Sequence, residues 1–245
     1  MDEPLTVLVA ARDEEGRIGR TVGALREAFP EAEVLVADDG SRDGTAAEAE
    51  AAGAIVLRLP RRGKGQTLSA GERAAVPGRL VVCDADLSGD LRPLLESRAD
   101  VVVAAFAERQ GGGFGLAKRT GRALVRLRSG FEAREPLSGQ RALSPRARAA
   151  CFPLAPGFGC EVRMTIDAIR AGLAVEEHEL PLRHRATGRD AKGFAHPRPA
   201  AARRGVRSGS ARGQLPRDSS AARRLGGRAP PGPRGGGDRG DRARG

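Results

Sequence analysis

Two short acidic runs stand directly behind apolar ones. Asp38-Asp39-Gly40-Ser41 follows Val34-Leu35-Val36-Ala37, and Asp84-Ala85-Asp86 follows Leu80-Val81-Val82-Cys83. Each apolar run reads as a buried strand, and carboxylates just past the carboxyl ends of strands stand where α/β sheets bind their ligands. An Asp-x-Asp pair there can hold a hard divalent cation, Mg2+ or Mn2+, which can in turn neutralise a diphosphate. A third run, Arg62-Gly63-Lys64-Gly65, sets a cation between two glycines, where backbone can approach a phosphate closely and Lys64 can pair with it. It is not a P-loop, which needs Gly-x-x-x-x-Gly-Lys-Ser/Thr.

Bringing these runs together requires strands that share one edge. Strands are predicted over Leu5–Ala10, Val34–Asp38, Ala54–Leu59, Leu80–Asp84 and Val101–Phe106. Ile18, Val22, Leu25 and Phe29 recur at helical spacing between the first two, and Thr45–Ala52 and Thr67–Ala75 supply shorter helices. This β-α-β-α rhythm is the sign of a mostly parallel sheet flanked by helices, an α/β fold. After Phe106, Gly111-Gly112-Gly113 breaks the pattern. Leu116, Thr120, Leu124 and Leu127 then mark a helix. A second helix, Glu161–Ala171, is entered through Pro156-Gly157-Phe158-Gly159, and a short strand, Val175–Glu179, follows. The expected organisation is one domain over residues 1–196, with a nucleotide half to about residue 106 and an acceptor half from 107.

The chain has 245 residues and a formal charge of +11, which would ordinarily suggest a polyanionic partner. The distribution argues otherwise. From Pro197 to Gly245 there are 13 Arg and 3 Asp, whereas residues 1–196 hold 29 basic and 28 acidic side chains. The last 49 residues have almost no apolar side chain larger than alanine except Val206, Leu215 and Leu225, so they are expected to be a disordered basic tail. The composition breaks abruptly after Gly193-Phe194-Ala195-His196, as a frame-shifted end would; resequencing across codons 190 to 205 tests this. Cys83, Cys151 and Cys160 are too few for a disulfide framework or zinc site and are expected to be reduced thiols. The acidic start, Met1-Asp2-Glu3-Pro4, predicts no secretory leader, and no apolar run approaches the ~18 residues that cross a bilayer. The expected location is cytoplasmic, with peripheral attachment to a membrane left open.

Four segments in order carry a resemblance: Val7–Glu15 (VLVAARDEE), Val34–Thr45 (VLVADDGSRDGT), Arg62–Gln66 (RGKGQ) and Val82–Leu87 (VCDADL). Together they resemble the family 2 glycosyltransferases of the GT-A fold, over residues 5 to about 196. The resemblance implies a Rossmann-like GT-A sheet and a metal-dependent transfer of sugar from a nucleotide-diphosphate sugar. It implies that Asp13 and Glu15 lie in the first-strand loop bordering the nucleoside, where the family usually has Asn at position 13. Asp38 or Asp39 would accept from base or ribose, Lys64 would meet phosphate, and Asp86, less directly Asp84, would hold Mg2+ or Mn2+.

Pro136–Arg141 and Ala155–Val162 are similar to acceptor-side elements of polyprenyl-phosphate sugar transferases and of glucosyl-3-phosphoglycerate synthase. Glu161 would position the acceptor or act as base there, or simply favour the positive end of its helix. The run His184 to Lys192 resembles a basic loop that closes over phosphates. Within it Arg185, Arg189 and Lys192 would bind the donor diphosphate or an anionic acceptor, and His184 would be either a third metal ligand or structural. UDP and GDP sugars fit the motifs equally, and the acceptor is expected to bear a phosphate, as 3-phosphoglycerate and polyprenyl phosphate do. The rival readings are a sugar-phosphate nucleotidyltransferase, which lacks its Gly-rich entry loop here, and an inactive relic whose basic tail binds nucleic acid. Nucleic acid is not expected as a partner, since the tail offers no aromatic platform. Oligomeric state is not legible.

Overall fold

The strands and helices follow from the apolar periodicity and sort into three layers. A computed structural model describes residues 3–106, 115–155 and 159–182. The elements are β1 (Leu5–Ala11), α1 (Ile18–Ala28), β2 (Glu33–Asp38), α2 (Thr45–Ala51), β3 (Ile55–Arg58), α3 (Lys64–Ala74) and β4 (Arg79–Asp84). A 3-10 turn (Arg92–Leu95) leads to β5 (Val101–Phe106), α4 (Gly115–Ser129), β6 (Arg141–Leu143), α5 (Pro145–Cys151), α6 (Cys160–Arg170) and β7 (Val175–Leu180). The triglycine at 111–113, the Pro156–Phe158 part of the entry loop and the basic tail lie outside the described residues.

The seven strands form one sheet in the order β3-β2-β1-β4-β6-β5-β7. All neighbours are parallel except β6, which runs antiparallel to both β4 and β5. Residues alternate between the two faces, as strand geometry requires. Val7, Val9, Val34 and Val36 pack under Ile18, Val22, Leu25 and Phe29 of the α1 segment. Leu8, Leu35, Leu80 and Val82 pack under Leu68 of α3 and Met164 and Ala168 of α6. All described residues fall in one compact unit, Met1–Ala195. Among them, no helix is long and apolar enough to cross a membrane.

Three differences from the sequence reading have physical causes. Helix α3 starts at Lys64 rather than Thr67, because the Asp39 carboxylate accepts the backbone N–H groups of Arg62 (2.6 Å) and Gly63 (3.0 Å), an acidic cap supplied from another strand. Strand β6 was not foreseen. Its three residues begin with a wholly buried arginine, which reads as loop. In α4 the marker residues point the other way. Leu116, Leu124 and Leu127 are 80%, 41% and 78% exposed, and the buried positions are Gly121 and Val125, which pack on Val162 and Ile166 of α6.

Candidate active site

Strands β2, β1 and β4 are adjacent and parallel, with Asp38 beside Ala11 and Asp84 beside Ala10. Chain order runs outward from β1 to β3 and then returns to β4 on the other side of β1. The crevice at this switch point, past the carboxyl ends, is the ligand position of open α/β sheets. The two acidic runs and the first-strand loop all open into it.

The loops after β1 and β2 are laced together by short polar side chains. Asp13 donates its N–H to Ser41 Oγ (3.0 Å), and its Oδ1 accepts from the Arg42 N–H (3.0 Å). Asp13 is the one non-glycine residue with positive φ (52°) among the described residues. Asp and Asn tolerate that conformation better than other side chains because they bond locally, which fits the Asn usual at this place in the resembling family. Glu15 is exposed and donates its N–H to Asp43 Oδ2 (3.2 Å).

The two adjacent aspartates divide their duties. Asp39, 7% exposed, is taken up by the α3 cap described above and by the Thr67 hydroxyl (2.8 Å). Asp38 accepts from the Ser41 N–H (3.0 Å) and hydroxyl through Oδ1 alone.

At the centre stands Lys64, in the first turn of α3. Its Nζ lies 2.7 Å from Asp84 Oδ1 and 2.9 Å from Glu161 Oε1 at the start of α6. Burial disfavours charge on both Lys64 and Glu161, but their mutual attraction, with Asp84 adding to it, outweighs burial. The lysine pKa rises above its ordinary value and that of Glu161 falls below. Glycine at position 65 lets α3 come this close, since a Cβ there would collide with the Ala155 carbonyl oxygen. That glycine therefore serves helix packing, whereas the sequence reading gave it to phosphate approach.

The other oxygen of Asp84 accepts from Gln140 Nε2 (2.8 Å), whose own Oε1 accepts from the Ser138 hydroxyl (3.2 Å). Between them Gly139 lies against the carboxylate, where a Cβ would stand 2.6 and 2.7 Å from its oxygens and 2.8 Å from Lys64 Nζ. Below, the buried Arg141 guanidinium donates to the carbonyls of Ser138 (2.9 Å) and Pro136 (3.3 Å) and to Thr165 Oγ1 of α6 (2.8 Å). Sequence reasoning missed these supports of Asp84. The Ser138-Gly139-Gln140 run was noticed but assigned to the acceptor, and nothing local shows that it folds back 56 residues. Asp86 is half-buried and makes no hydrogen bond or ion pair among the described residues. His184, Arg185, Arg189 and Lys192 lie outside the described residues.

A pair of carboxylates at one strand end, one of them oriented by Lys64 and Gln140, suits a hard cation that takes its other ligands from phosphate and water. Among the described residues no group of three or more His, Cys, Asp or Glu side chains converges into a complete protein cage. The cysteines stand apart from this chemistry: all three are buried and free, and burial pushes Cys151 up to about 11 and Cys160 to about 12.

The pattern of glycosyl transferase family 2 matches residues 6–146, more than half of the chain. The chain belongs to glycosyl transferase family 2. Two curated family relatives are glycosyltransferase AglJ of Haloferax volcanii and glucosyl-3-phosphoglycerate synthase of Mycolicibacterium paratuberculosis. The first is 30% identical over 157 residues, 58% of this chain and 51% of the relative. The second is 31% identical over 216 residues, 71% and 65% respectively. The chain thus spans between half and two thirds of the curated relatives it matches.

Among solved structures, glucosyl-3-phosphoglycerate synthase from Mycobacterium tuberculosis in complex with phosphoglyceric acid superposes with a TM-score of 0.64 at 29% identity, covering 75% of this chain and 72% of that one. The same enzyme with Mn2+, uridine diphosphate and glucosyl-3-phosphoglycerate gives 0.65 at 28% identity, covering 78% and 75%. With Mg2+ and uridine diphosphate it gives 0.62 at 26%, covering 75% and 72%. The seven-stranded, mostly parallel sheet of this family 2 member is the GT-A fold.

Proposed function

We propose that this chain transfers a sugar from a nucleotide-diphosphate sugar to a phosphate-bearing acceptor with the help of Mg2+ or Mn2+. The observation that carries the reading is the carboxylate pair at the end of β4, with Asp84 held between Lys64 and Gln140 and Asp86 without a hydrogen bond or ion pair among the described residues. Asp84 and Asp86 would hold the cation. When bound, it neutralises charge that develops on the departing nucleoside diphosphate as the bond from sugar carbon to phosphate oxygen breaks.

Asp38 is the better candidate for the nucleoside, because Asp39 is committed to the α3 cap. The Asp13–Ser41 and Asp13–Arg42 bonds keep the nucleoside end of the crevice in shape. Glu161, held ionised by Lys64, is a weak proton acceptor. It suits positioning of the acceptor: the hydroxyl proton of a phosphoglycerate acceptor would pass to an oxygen of the departing diphosphate, whereas a polyprenyl phosphate, already ionised, gives up none. UDP-glucose and 3-phosphoglycerate are the favoured pair, supported by the uridine diphosphate and phosphoglycerate in the synthase structures that this fold resembles.

The test is thermal unfolding with UDP-glucose or GDP-mannose, each with Mn2+ or with EDTA, followed by mass detection of glucosylated phosphoglycerate. A ligand that binds only the folded state raises the melting temperature. A Mn2+-dependent rise with UDP-glucose that Asp86→Ala abolishes is the expected outcome. A rise that survives EDTA and Asp86→Ala would sink the metal role, and absence of any rise with either donor would sink the donor site.

A further inference from the structure

Helix α4 carries a face that the fold does not use. Gly121 and Val125 point inward to α6, and the opposite side presents Leu116, Thr120, Ala123 and Leu127, spaced as i, i+4, i+7 and i+11, with Leu124 beside them. All five are exposed, and Leu116, Leu124 and Leu127 are three of the four large exposed hydrophobics among the described residues. Residues of like kind at this spacing form a single stripe along a helix.

The charge on the same helix is one-sided. Its 15 residues hold Lys118, Arg119, Arg122, Arg126 and Arg128 and no acidic residue. Lys118 turns inward to Glu135, and Arg122 bonds the Arg134 carbonyl. On a helical projection Arg119 and Arg126 flank one side of the leucine stripe and Arg128 the other, because each residue advances the face by about 100°. Arg119 and Arg128 make no ion pair among the described residues, and Arg126 meets only the exposed Glu132 at 3.7 Å.

We propose that α4 is a surface-seeking helix that docks this protein on an anionic lipid bilayer, leucines in the acyl boundary and arginines at the phosphates. An apolar stripe bordered by cations and free of anions is the signature of helices that lie in a membrane interface. At 15 residues, about 22 Å, the helix is too short to span the bilayer and too charged to enter it fully. A second copy of the same face is a poor occupant, since packing two such helices stripe to stripe sets arginine against arginine. A bilayer of anionic lipid satisfies both the leucines and the cations. The docked face lies on the far side of α4 from α6, the helix that begins with Cys160 and Glu161, so α4 would stand between that helix and the lipid surface. The inference does not depend on which donor or acceptor is used.

Vesicle co-sedimentation of the full chain tests it, with phosphatidylglycerol-containing vesicles set against pure phosphatidylcholine. The parent should bind the former and not the latter. Leu116→Ser with Leu127→Ser should weaken binding about tenfold with an unchanged melting temperature, and Arg119→Glu with Arg126→Glu should weaken it by a similar factor. The variants keep residues 197–245, whose net +10 could attract the same vesicles, so equal binding by parent and both variants would assign the attraction to those residues and overturn the proposal. The chain contains no tryptophan, so Leu127→Trp supplies a single reporter. Its emission should shift to the blue with anionic vesicles, and an unshifted spectrum would also overturn the proposal. So would a parent dimer that the serine variant renders monomeric without any effect of lipid.

Discussion

At the scale of residues, the crevice is organised around one lysine shared by two carboxylates. Removing its charge by Lys64→Met leaves Asp84 and Glu161 facing each other. The lysine and Asp84 side chains are about one third exposed, so screening limits the loss to about 1–2 kcal/mol, below the cost of breaking a fully buried pair. Glu161 has a lowered pKa, so its contribution is complete above its ordinary 4.5 and disappears as pH falls through the depressed value. Lys64 has a raised pKa, so its contribution is complete below 10.5 and disappears as pH rises through the raised value. Denaturant midpoints for parent and Lys64→Met should therefore differ most between these limits and converge only as pH falls below 4.5 and through the depressed value of Glu161. A gap that stays constant through the whole acid range would contradict the ion-pair account. Gly139→Ala tests the opposite wall. Its methyl must displace a carboxylate fixed from two sides, which should cost about 1–3 kcal/mol and weaken Mn2+ binding, read by calorimetric titration with UDP present. Asp84 and Asp86 were legible in the sequence because a strand end is a local signal. Gly139 and Gln140 were not, because their meaning comes from a contact across 56 residues.

At the scale of elements, the apolar runs of β1, β2, β4 and β5 located those strands within a residue or two, since each is buried along most of its length. The periodicity of α4 located the helix but assigned its inner face wrongly: small Gly121 and a single valine make the contact with α6, and the leucines are left outside. Helix α5 had readable signals that went unused, Ser144 as a cap accepting from the Ala147 N–H and Pro145 in the first turn. Strand β6 was hidden by Arg141, whose burial lowers its guanidinium pKa and whose donors are spent on two carbonyls and a hydroxyl. Arg141→Met should strand the Pro136 and Ser138 carbonyls at a cost of about 1–3 kcal/mol, while Thr165 keeps its bond to the Glu161 carbonyl. Because those carbonyls anchor the segment that holds Asp84, the variant should also bind Mn2+ more weakly. Unfolding by denaturant alongside metal titration separates the two effects, and a destabilised variant with parental metal affinity would show that Arg141 supports only the core.

At the scale of the whole molecule, the sheet is continuous through residues that the sequence divides into two halves. Strand β6, from the second half, lies between β4 and β5 of the first and hydrogen-bonds to both. The ribosome delivers β4 and β5 long before it delivers their common neighbour. Until Leu143 has emerged, β4 has one open edge and β5 has neither of its partners, β6 and β7. Unpaired edges of this kind are templates for association with other chains. A fragment of residues 1–106 should therefore aggregate on expression, whereas one extended through residue 182 should remain monodisperse, as light scattering would report. A monodisperse, cooperatively melting 1–106 fragment would show that the sheet can close without its middle strand. The same strand that carries Arg141 beneath Asp84 thus closes the facing edges of β4 and β5, so one late strand both seals the middle of the sheet and brings the support of the carboxylate into place.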